Sequence, residues 1–588
     1  SFPYKDAAFL INDVLDFDRI CSDAGLEEVN SELAAAILEE AARFGSEVLA
    51  PLNTIGDQQG ATLEEDGVHE TPGFADAYRQ YVDTGWPSLA AEEEFGGQAM
   101  PRMVAAAATE IWYSACASFS LCPLLTTGAV EAIALHGSDE LKDKYLPNLV
   151  SGEWTGSMCL TEPAAGSDLA AVATRAVEAG DHYLLTGQKI YITWGDHQMT
   201  DNVIHLVLAR LPDAPAGVKG ISLFLVPKFL LDENGQPGER NDVYCVGLEH
   251  KMGIHASPTC TLNFGDNGGA VAYLVGQPNN GLAAMFTMMN EARQGVGIQG
   301  LGVSERSYQQ AVPYAKERLQ GTRRDGSRYP IIEFPDVRRM LMLMKAGTEA
   351  MRGLAYFAAA ETDLEKFAKS PEQARKHTAR IGLYTPIVKG WLTELAQELT
   401  YLGTQVHGGM GYVEETGSAQ HYRDARIMTI YEGTTGIQAI DLAGRKTLGD
   451  QGKAVQDWLD EIDATAAELA AVEGFTGMAD ALQKAVEAGA AARAWILENG
   501  SADRNSAGVA SVNYMMLMGY LCGGWVMGKS ALKATELLAA GAGDKGFLQT
   551  KLVTVRFYFE HLLPRTGSLL AAILAGPESV MALDPEQF

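Results

Sequence analysis

Basic residues are scarce in this sequence: 45 Lys and Arg stand against 75 Asp and Glu, for a formal charge of -30. A surplus of that size repels phosphate backbones and anionic lipid, which argues against nucleic-acid and membrane-surface roles. Cysteine is sparse as well. The seven thiols (Cys21, Cys116, Cys122, Cys159, Cys245, Cys260 and Cys522) are scattered and form no Cys-x-x-Cys pair. That spacing excludes a disulfide framework and a zinc site and fits a reducing cytoplasm. No uninterrupted apolar run approaches the roughly 20 residues needed to cross a bilayer, and the first residues lack the basic and apolar segments of a secretory signal. His407 and His421 have no second histidine or cysteine at metal-ligand spacing, and no Gly-x-Ser-x-Gly elbow occurs. No metal site and no serine-hydrolase chemistry are therefore expected, and both histidines are read as structural.

What is present is a long chain of ordinary globular composition, with 588 residues, 47% hydrophobic and 20% charged. Its hydrophobic period changes twice, from helical to β and back. Residues 1–35 form an arm of mixed apolar and acidic positions around Phe9 to Phe17. Residues 36–153 repeat apolar positions at helical spacing, a stripe that Leu33 opens just before them and Ile37, Leu38, Ala41 and Phe44 continue, with breaks at Trp86-Pro87 and Phe95-Gly96-Gly97. Residues 154–279 switch to short β-rich runs, among them Trp154 to Leu160, Tyr183 to Thr186, Lys189 to Thr193, Val203 to Ala209, Ile221 to Val226, Thr259 to Phe264 and Val271 to Val275. Residues 280–448 return to long helices. Val337, Met340, Leu341, Met344 and Met351 share one stripe and Leu383, Ile387, Trp391, Leu395 and Leu399 another, as antiparallel bundle helices require. After Gly449-Asp450-Gln451-Gly452, residues 449–588 form a further helical domain without a basic patch, suited to packing or to an oligomer contact. The class is α+β.

The stretch from Gln405 to Gln438 concentrates the chemistry. Glu432 lies in Ile430-Tyr431-Glu432-Gly433-Thr434-Thr435-Gly436-Ile437, a carboxylate with apolar neighbours before it and a glycine-threonine turn after it. Apolar surroundings disfavour ionisation, so its pKa is expected to rise toward that of a general base; taken alone it is equally a paired loop glutamate. Gly433 and Gly436 permit a sharp turn, and Thr434 or Thr435 suits the cap of the helix that follows. Upstream, Gln405-Val406-His407-Gly408-Gly409-Met410-Gly411-Tyr412 ends a helix with a glycine density that suggests backbone pressed against something flat or phosphorylated. In the β region, Met158-Cys159-Leu160-Thr161-Glu162-Pro163-Ala164-Ala165-Gly166-Ser167-Asp168 leaves the hydroxyls of Thr161 and Ser167 open at a turn, and by itself is equally a plain β-turn.

Together these residues resemble the signatures of the acyl-CoA dehydrogenase family over about residues 36–447. The resemblance implies that family's fold: an N-terminal helical domain, a middle β domain and a C-terminal four-helix bundle, here with an extra C-terminal helical domain. It implies FAD as cofactor and Glu432 as the catalytic base, with the amide of Glu432 and a ribityl hydroxyl of the flavin holding the thioester oxygen. Met158, Leu160, Thr161 and Ser167 would then line the flavin and acyl-CoA site. In Lys189-Ile190-Tyr191-Ile192-Thr193-Trp194-Gly195, which resembles the second flavin motif, Tyr191 would cover the ring and Thr193 reach its N5 edge. Arg318 and Gln320 take the place of the arginine segment that reaches FAD in a neighbouring subunit. Gln405, Gly408, Gly409 and Thr434 would also contact the cofactor. Ser167, Arg293, Tyr431 and Gly433 would contact the substrate. Met158, Tyr191, Gln320 and Asn290 depart from the commoner family residues at their positions.

The roughly 590-residue layout, opening with Phe9-Leu10-Ile11-Asn12-Asp13-Val14-Leu15-Asp16, resembles the long branch of the family that acts on 3-methylmercaptopropionyl-CoA in dimethylsulfoniopropionate demethylation. That implies a homodimer and electron transfer to an electron-transferring flavoprotein. Medium- or long-chain fatty acyl-CoA dehydrogenation, an acyl-CoA oxidase and, against the charge, a flavin-bearing DNA-binding relative are the other readings.

Overall fold

A computed structural model describes residues 1–588. The β region builds an eight-stranded mixed sheet. From one edge to the other its strands are Val243–Leu248, Thr259–Phe264, His182–Thr193, Ala270–Val275, Ile221–Pro227, Val203–Arg210 and Thr155–Cys159, with Arg175–Ala179 paired beside His182–Thr193. The two expected strands at Tyr183 and Lys189 are one 12-residue strand, while Arg175–Ala179 and Val243–Leu248 lie among residues with no strong alternation and were not expected.

This sheet belongs to a compact unit of residues 43–101 and 115–295. Strand Val203–Arg210 is buried on both faces, and successive side chains point to opposite sides. Ile204, Leu206 and Leu208 therefore meet one apolar layer, with Leu125, Ile133 and Tyr145 of the helices Ala117–His136 and Asp139–Ser151 and with Met285 and Met288. Val207 and Ala209 meet the other, with Ile192, Leu262 and Phe264. Helix Ala117–His136 is long and apolar enough on average to span a bilayer, although Ser118, Ser120, Thr126, Thr127 and Glu131 interrupt its apolar run; here it is a core helix. It lies so close to strand Thr155–Cys159 that a Cβ on Gly156 would stand 2.6 Å from that of Ala129. The Gly156 amide donates to Thr126 Oγ1 at 3.0 Å in the same contact. This nominally helical stretch also holds a small hairpin, Thr62–Glu64 with Gly67–His69.

The second compact unit comprises residues 1–42, 102–114 and 296–588. Its long helices are Pro335–Lys366 and Pro371–His407, with the second part of Gly281–Glu317. The expected stripes are buried apart from Val337, which is half-buried near the helix start: Met340, Leu341, Met344 and Met351 on one helix, and Leu383, Ile387, Trp391, Leu395 and Leu399 on the other. A hairpin of Leu319–Thr322 and Arg328–Pro330, not expected in a helical region, sits between two of them. The C-terminal extension packs on this bundle through helix Arg504–Ala539. There Gly519 and Gly523 leave room for the indole of Trp391; a Cβ on Gly519 would stand 2.1 Å from the ring. Pro564 follows the end of Lys545–His561 and separates it from Arg565–Leu574, where one continuous segment was expected.

A buried charge cluster ties these pieces together. Arg352, 1% exposed, donates through Nε to Glu110 at 2.7 Å, through Nη1 to Asp6 at 2.6 Å and through Nη2 to Glu305 at 2.6 Å. Lys551 of the extension pairs with Asp6 at 2.5 Å and with Glu349. Charges this far from water persist only when matched in this way. Burial, with Glu305 nearby, pushes the Glu110 carboxyl up to about 7 against the pull of Arg352. The two cations beside Asp6 outweigh its burial and hold it down to about 2.

Candidate active site

In the helical unit, the segment after helix Pro371–His407 folds back through short 3-10 turns and the helix Ser418–Ala425 to Glu432. Glu432 and Gly433 both have left-handed backbone, with φ of 57° and 92°. For a glutamate that conformation is strained by roughly 1–2 kcal/mol and persists only where the surroundings enforce it. Here they do. The buried ammonium of Lys389 donates to the carbonyls of Met428 at 2.8 Å and Gly433 at 2.6 Å. The buried amide of Gln438 donates to Gly433 O at 3.2 Å and Glu432 O at 3.4 Å. Thr434 Oγ1 then accepts from Ile437 N at 3.2 Å, capping the short helix Thr435–Ile440. Thr435 turns away instead, donating to Glu394 at 2.6 Å.

Glu432 is half-buried and its neighbour Ile430 is 46% exposed, so the carboxylate is set on a rigid turn yet remains reachable. Tyr431 points inward. Its hydroxyl donates to Gln299, and burial, with Tyr113 and the charge of Glu432 adding, pushes its pKa well up. The Nε2 of Gln299 is buried without a hydrogen-bond acceptor in the chain.

Glycines 408 and 409 are exposed, and nothing stands within 4 Å of where a Cβ would be on either. With φ of 60° and ψ of -140°, Gly408 holds a conformation open only to glycine. Gln405 is exposed beside them. His407 Nδ1 donates to Gly403 O, 2.6 Å away, and the ring lies against that of Tyr314; burial lowers its pKa. His421 bonds Gln310 at 2.9 Å. Both histidines are thus built into the scaffold, and no cluster of His, Cys, Asp and Glu is arranged for a metal. Arg318 and Gln320 are exposed at the root of the hairpin, and the Arg318 guanidinium pairs with no carboxylate of the chain.

In the β unit the two motifs are neighbours. The amide of Ile190 donates to Thr161 O at 2.9 Å, and Lys189 Nζ donates to Leu160 O at 2.9 Å. Glu162 explains why the turn is rigid. It is buried, accepts from the amides of Ala173 at 2.7 Å and Thr174 at 2.8 Å and from the Thr174 hydroxyl, and lies 3.4 Å from Lys189. Burial opposes its charge, but Lys189 and these donors outweigh it and lower its pKa. Burial brings Lys189 down to about 8 despite Glu162.

Opposite Thr259–Phe264, Ile192 pairs with Cys260 and Lys189 with Leu262, so two residues face one across a bulge. Tyr191 sits in it with φ of 58°, and its side chain is 59% exposed. Bulges re-aim side chains in this way. Met158, Leu160, Thr161 and Thr193 are half-buried around it, and Ser167 is exposed on the turn. Trp194 points the other way, its indole donating to Ser118 O at 2.9 Å. Arg293, on the first part of helix Gly281–Glu317, is buried.

In the helical unit the space over Gly408 and Gly409 is unfilled, and in the β unit the aromatic ring of Tyr191 faces outward; each by itself suits contact with a planar or polar cofactor group. Sequence reasoning missed Lys389, Gln438 and the structural role of Glu162. Lys389 left one signal: it is the only charged residue between Arg380 and Glu394, in a stretch buried on every face.

Four family descriptions match the chain in order: "Acyl-CoA dehydrogenase, N-terminal domain" over residues 31–153, "Acyl-CoA dehydrogenase, middle domain" over 157–267, "Acyl-CoA dehydrogenase, C-terminal domain" over 279–447 and "Acetyl-CoA dehydrogenase C-terminal like" over 458–584. The chain is 47% identical to the 3-methylmercaptopropionyl-CoA dehydrogenase of Ruegeria pomeroyi over 95% of each. It is 33% identical to a butyryl-CoA dehydrogenase of Syntrophomonas wolfei over 100% of this chain and 99% of the other. A crystal structure of an acyl-CoA dehydrogenase complexed with FAD from Bacillus anthracis shares the fold at a TM-score of 0.75 and 22% identity, covering 93% of this chain and 89% of that one.

Proposed function

This chain belongs to the acyl-CoA dehydrogenase family, and from that premise we propose that it is an FAD-dependent oxidoreductase converting 3-methylmercaptopropionyl-CoA to methylthioacryloyl-CoA. The carrying observation is Glu432: a reachable carboxylate clamped on a left-handed turn, in a chain 47% identical to a 3-methylmercaptopropionyl-CoA dehydrogenase over 95% of its length.

The α C–H of a thioester is too weakly acidic for a carboxylate in water. Glu432 takes that proton at its carboxylate once substrate has covered it, because loss of water makes a carboxylate a stronger base. A backbone donor aimed at the thioester oxygen steadies the charge that develops there; the amide of Glu432 fills that role. FAD, when bound, supplies the two-electron acceptor for the β-hydride. The residues that would hold it are Met158, Leu160, Thr161, Ser167, Tyr191 and Thr193 in the β unit and Gln405, Gly408, Gly409 and Thr434 in the helical unit. Arg318 and Gln320 would reach FAD bound by a partner copy, which the unpaired guanidinium of Arg318 supports, so the working form is a homodimer. Ser167, Arg293, Tyr431 and Gly433 contact substrate. Electrons leave to an electron-transferring flavoprotein. The seven free cysteines support a reducing, cytoplasmic setting.

The test is anaerobic mixing of the flavin-loaded protein with a panel of acyl-CoAs. The methylthio compound bleaches the flavin fastest, and Glu432→Gln binds it but bleaches about 10²–10⁴-fold more slowly. Undiminished bleaching by Glu432→Gln removes the base. Faster bleaching by butyryl- or longer acyl-CoAs moves the substrate to the second reading, favoured by the likeness to a butyryl-CoA dehydrogenase.

A further inference from the structure

We propose that Lys389 is a positioning residue for the reaction, holding the backbone turn that aims Glu432; this rests on Glu432 being the base. Lys389 is 0% exposed, on the interior of helix Pro371–His407. An ammonium there is costly where an apolar side chain would fill the same volume. Two of its acceptors flank the base: Met428 O four residues before Glu432, and Gly433 O immediately after it. They fix both ends of the short segment in which Glu432 and Gly433 adopt positive φ. Gln438 adds a second tether to the carbonyls of residues 432 and 433.

The geometry answers a definite need. Turning the Glu432–Gly433 peptide back to ordinary φ would swing the carboxylate and its own amide together, displacing the base and the proposed oxyanion donor in one motion. Charge-assisted hydrogen bonds are about twice as strong as neutral ones, so a lysine holds such a turn more firmly than an amide or hydroxyl would. It does so from behind the loop, out of reach of substrate. The bonds run to backbone carbonyls, so the lever works whatever side chain stands at position 432.

The experiment compares wild type with Lys389→Met, Lys389→Arg and Gln438→Leu, all flavin-loaded. Two readouts are taken: amide hydrogen exchange across residues 428–436, and the split of kcat and KM per bound flavin. Lys389→Met is expected to speed exchange in that segment by about 10- to 100-fold, the loss of one or two strong bonds, while the rest of the unit exchanges as before. It lowers kcat by about 10- to 100-fold with little change in KM, since misplacing a base by an ångström has that effect. Lys389→Arg recovers part of both, and Gln438→Leu shows the same local pattern more weakly. If Lys389→Met does not fold, Gln438→Leu and Lys389→Arg carry the test.

Unchanged exchange at residues 428–436, or faster exchange throughout the unit with kcat per flavin unaltered, overturns the proposal. Should Glu432→Gln prove fully active while Lys389→Met still loosens this segment, the assignment of the base fails and the tether stands.

Discussion

Replacing Arg352 with methionine should expose how the buried charge cluster is balanced. Methionine fills much of the same space but leaves three carboxylates facing one another. Removing one partner from a buried ion pair costs about 3–5 kcal/mol, yet three partners do not triple that. Asp6 keeps Lys551 at 2.5 Å and Glu305 keeps the Gln309 amide at 2.7 Å. Glu110 keeps only the Tyr356 hydroxyl at 2.9 Å, so the loss falls mainly on Glu110. That group has an escape, because burial already pushes its pKa to about 7 and loss of the guanidinium would push it higher. Taking up a proton neutralises it. Urea unfolding followed by far-UV dichroism should show a loss of about 3–5 kcal/mol at pH 8 and a clearly smaller one at pH 6. Arg352→Lys, which keeps the charge without the fork, should fall between. A loss below about 1 kcal/mol at pH 8, or the same loss at both pH values, would refute this account.

The two compact units should respond to acid in opposite directions. In the helical unit Glu110 and Asp363 are raised by burial to about 7 and about 6, so the folded form binds protons the unfolded form has released, and this unit gains stability as pH falls from 7 toward the ordinary carboxylate range. In the β unit, burial lowers His197 to about 4 and His205 to about 3; their contribution is complete above the ordinary histidine value and is lost as pH falls from about 6.5 toward 4. Exchange protection measured unit by unit at pH 7 and pH 5 checks this, and parallel changes in both would contradict it. Gly519→Leu should drive a side chain into the Trp391 ring and cost several kcal/mol of docking, of the order of other severe overpacking, seen as faster proteolysis of the C-terminal extension. Gly433→Ala, at φ of 92°, should cost about 1–2 kcal/mol locally and slow turnover more than it weakens flavin retention.

The order of helical, β and helical regions was legible in the sequence because each period holds over many residues. The stripe from Leu383 to Leu399 and the strand Thr259–Phe264 stand where the pattern puts them. The motif at Glu432 was legible as a set of residue types, and the cap by Thr434 followed from local chemistry. Long-range features were not. The bulge that turns Tyr191 outward depends on register with Cys260 and Leu262, about 70 residues away in sequence. The partners of Arg352 come from segments that no spacing rule connects. Glu162 and Lys189 look like exposed polar residues of a turn and a strand until folding places them 3.4 Å apart. Short strands such as Phe229–Leu231 and Pro237–Arg240 carry too few residues to display alternation.

The arm's anchor has a consequence for synthesis. Asp6 leaves the ribosome 545 positions before Lys551, one of its two cationic partners. At translation rates of about 5–20 residues per second, that carboxylate waits roughly 30–110 s for its full set of counter-charges. The segment around Asp6, made early, is therefore among the last to be locked down, and a ribosome that stalls inside the extension would release a bundle in which that segment is still only half secured.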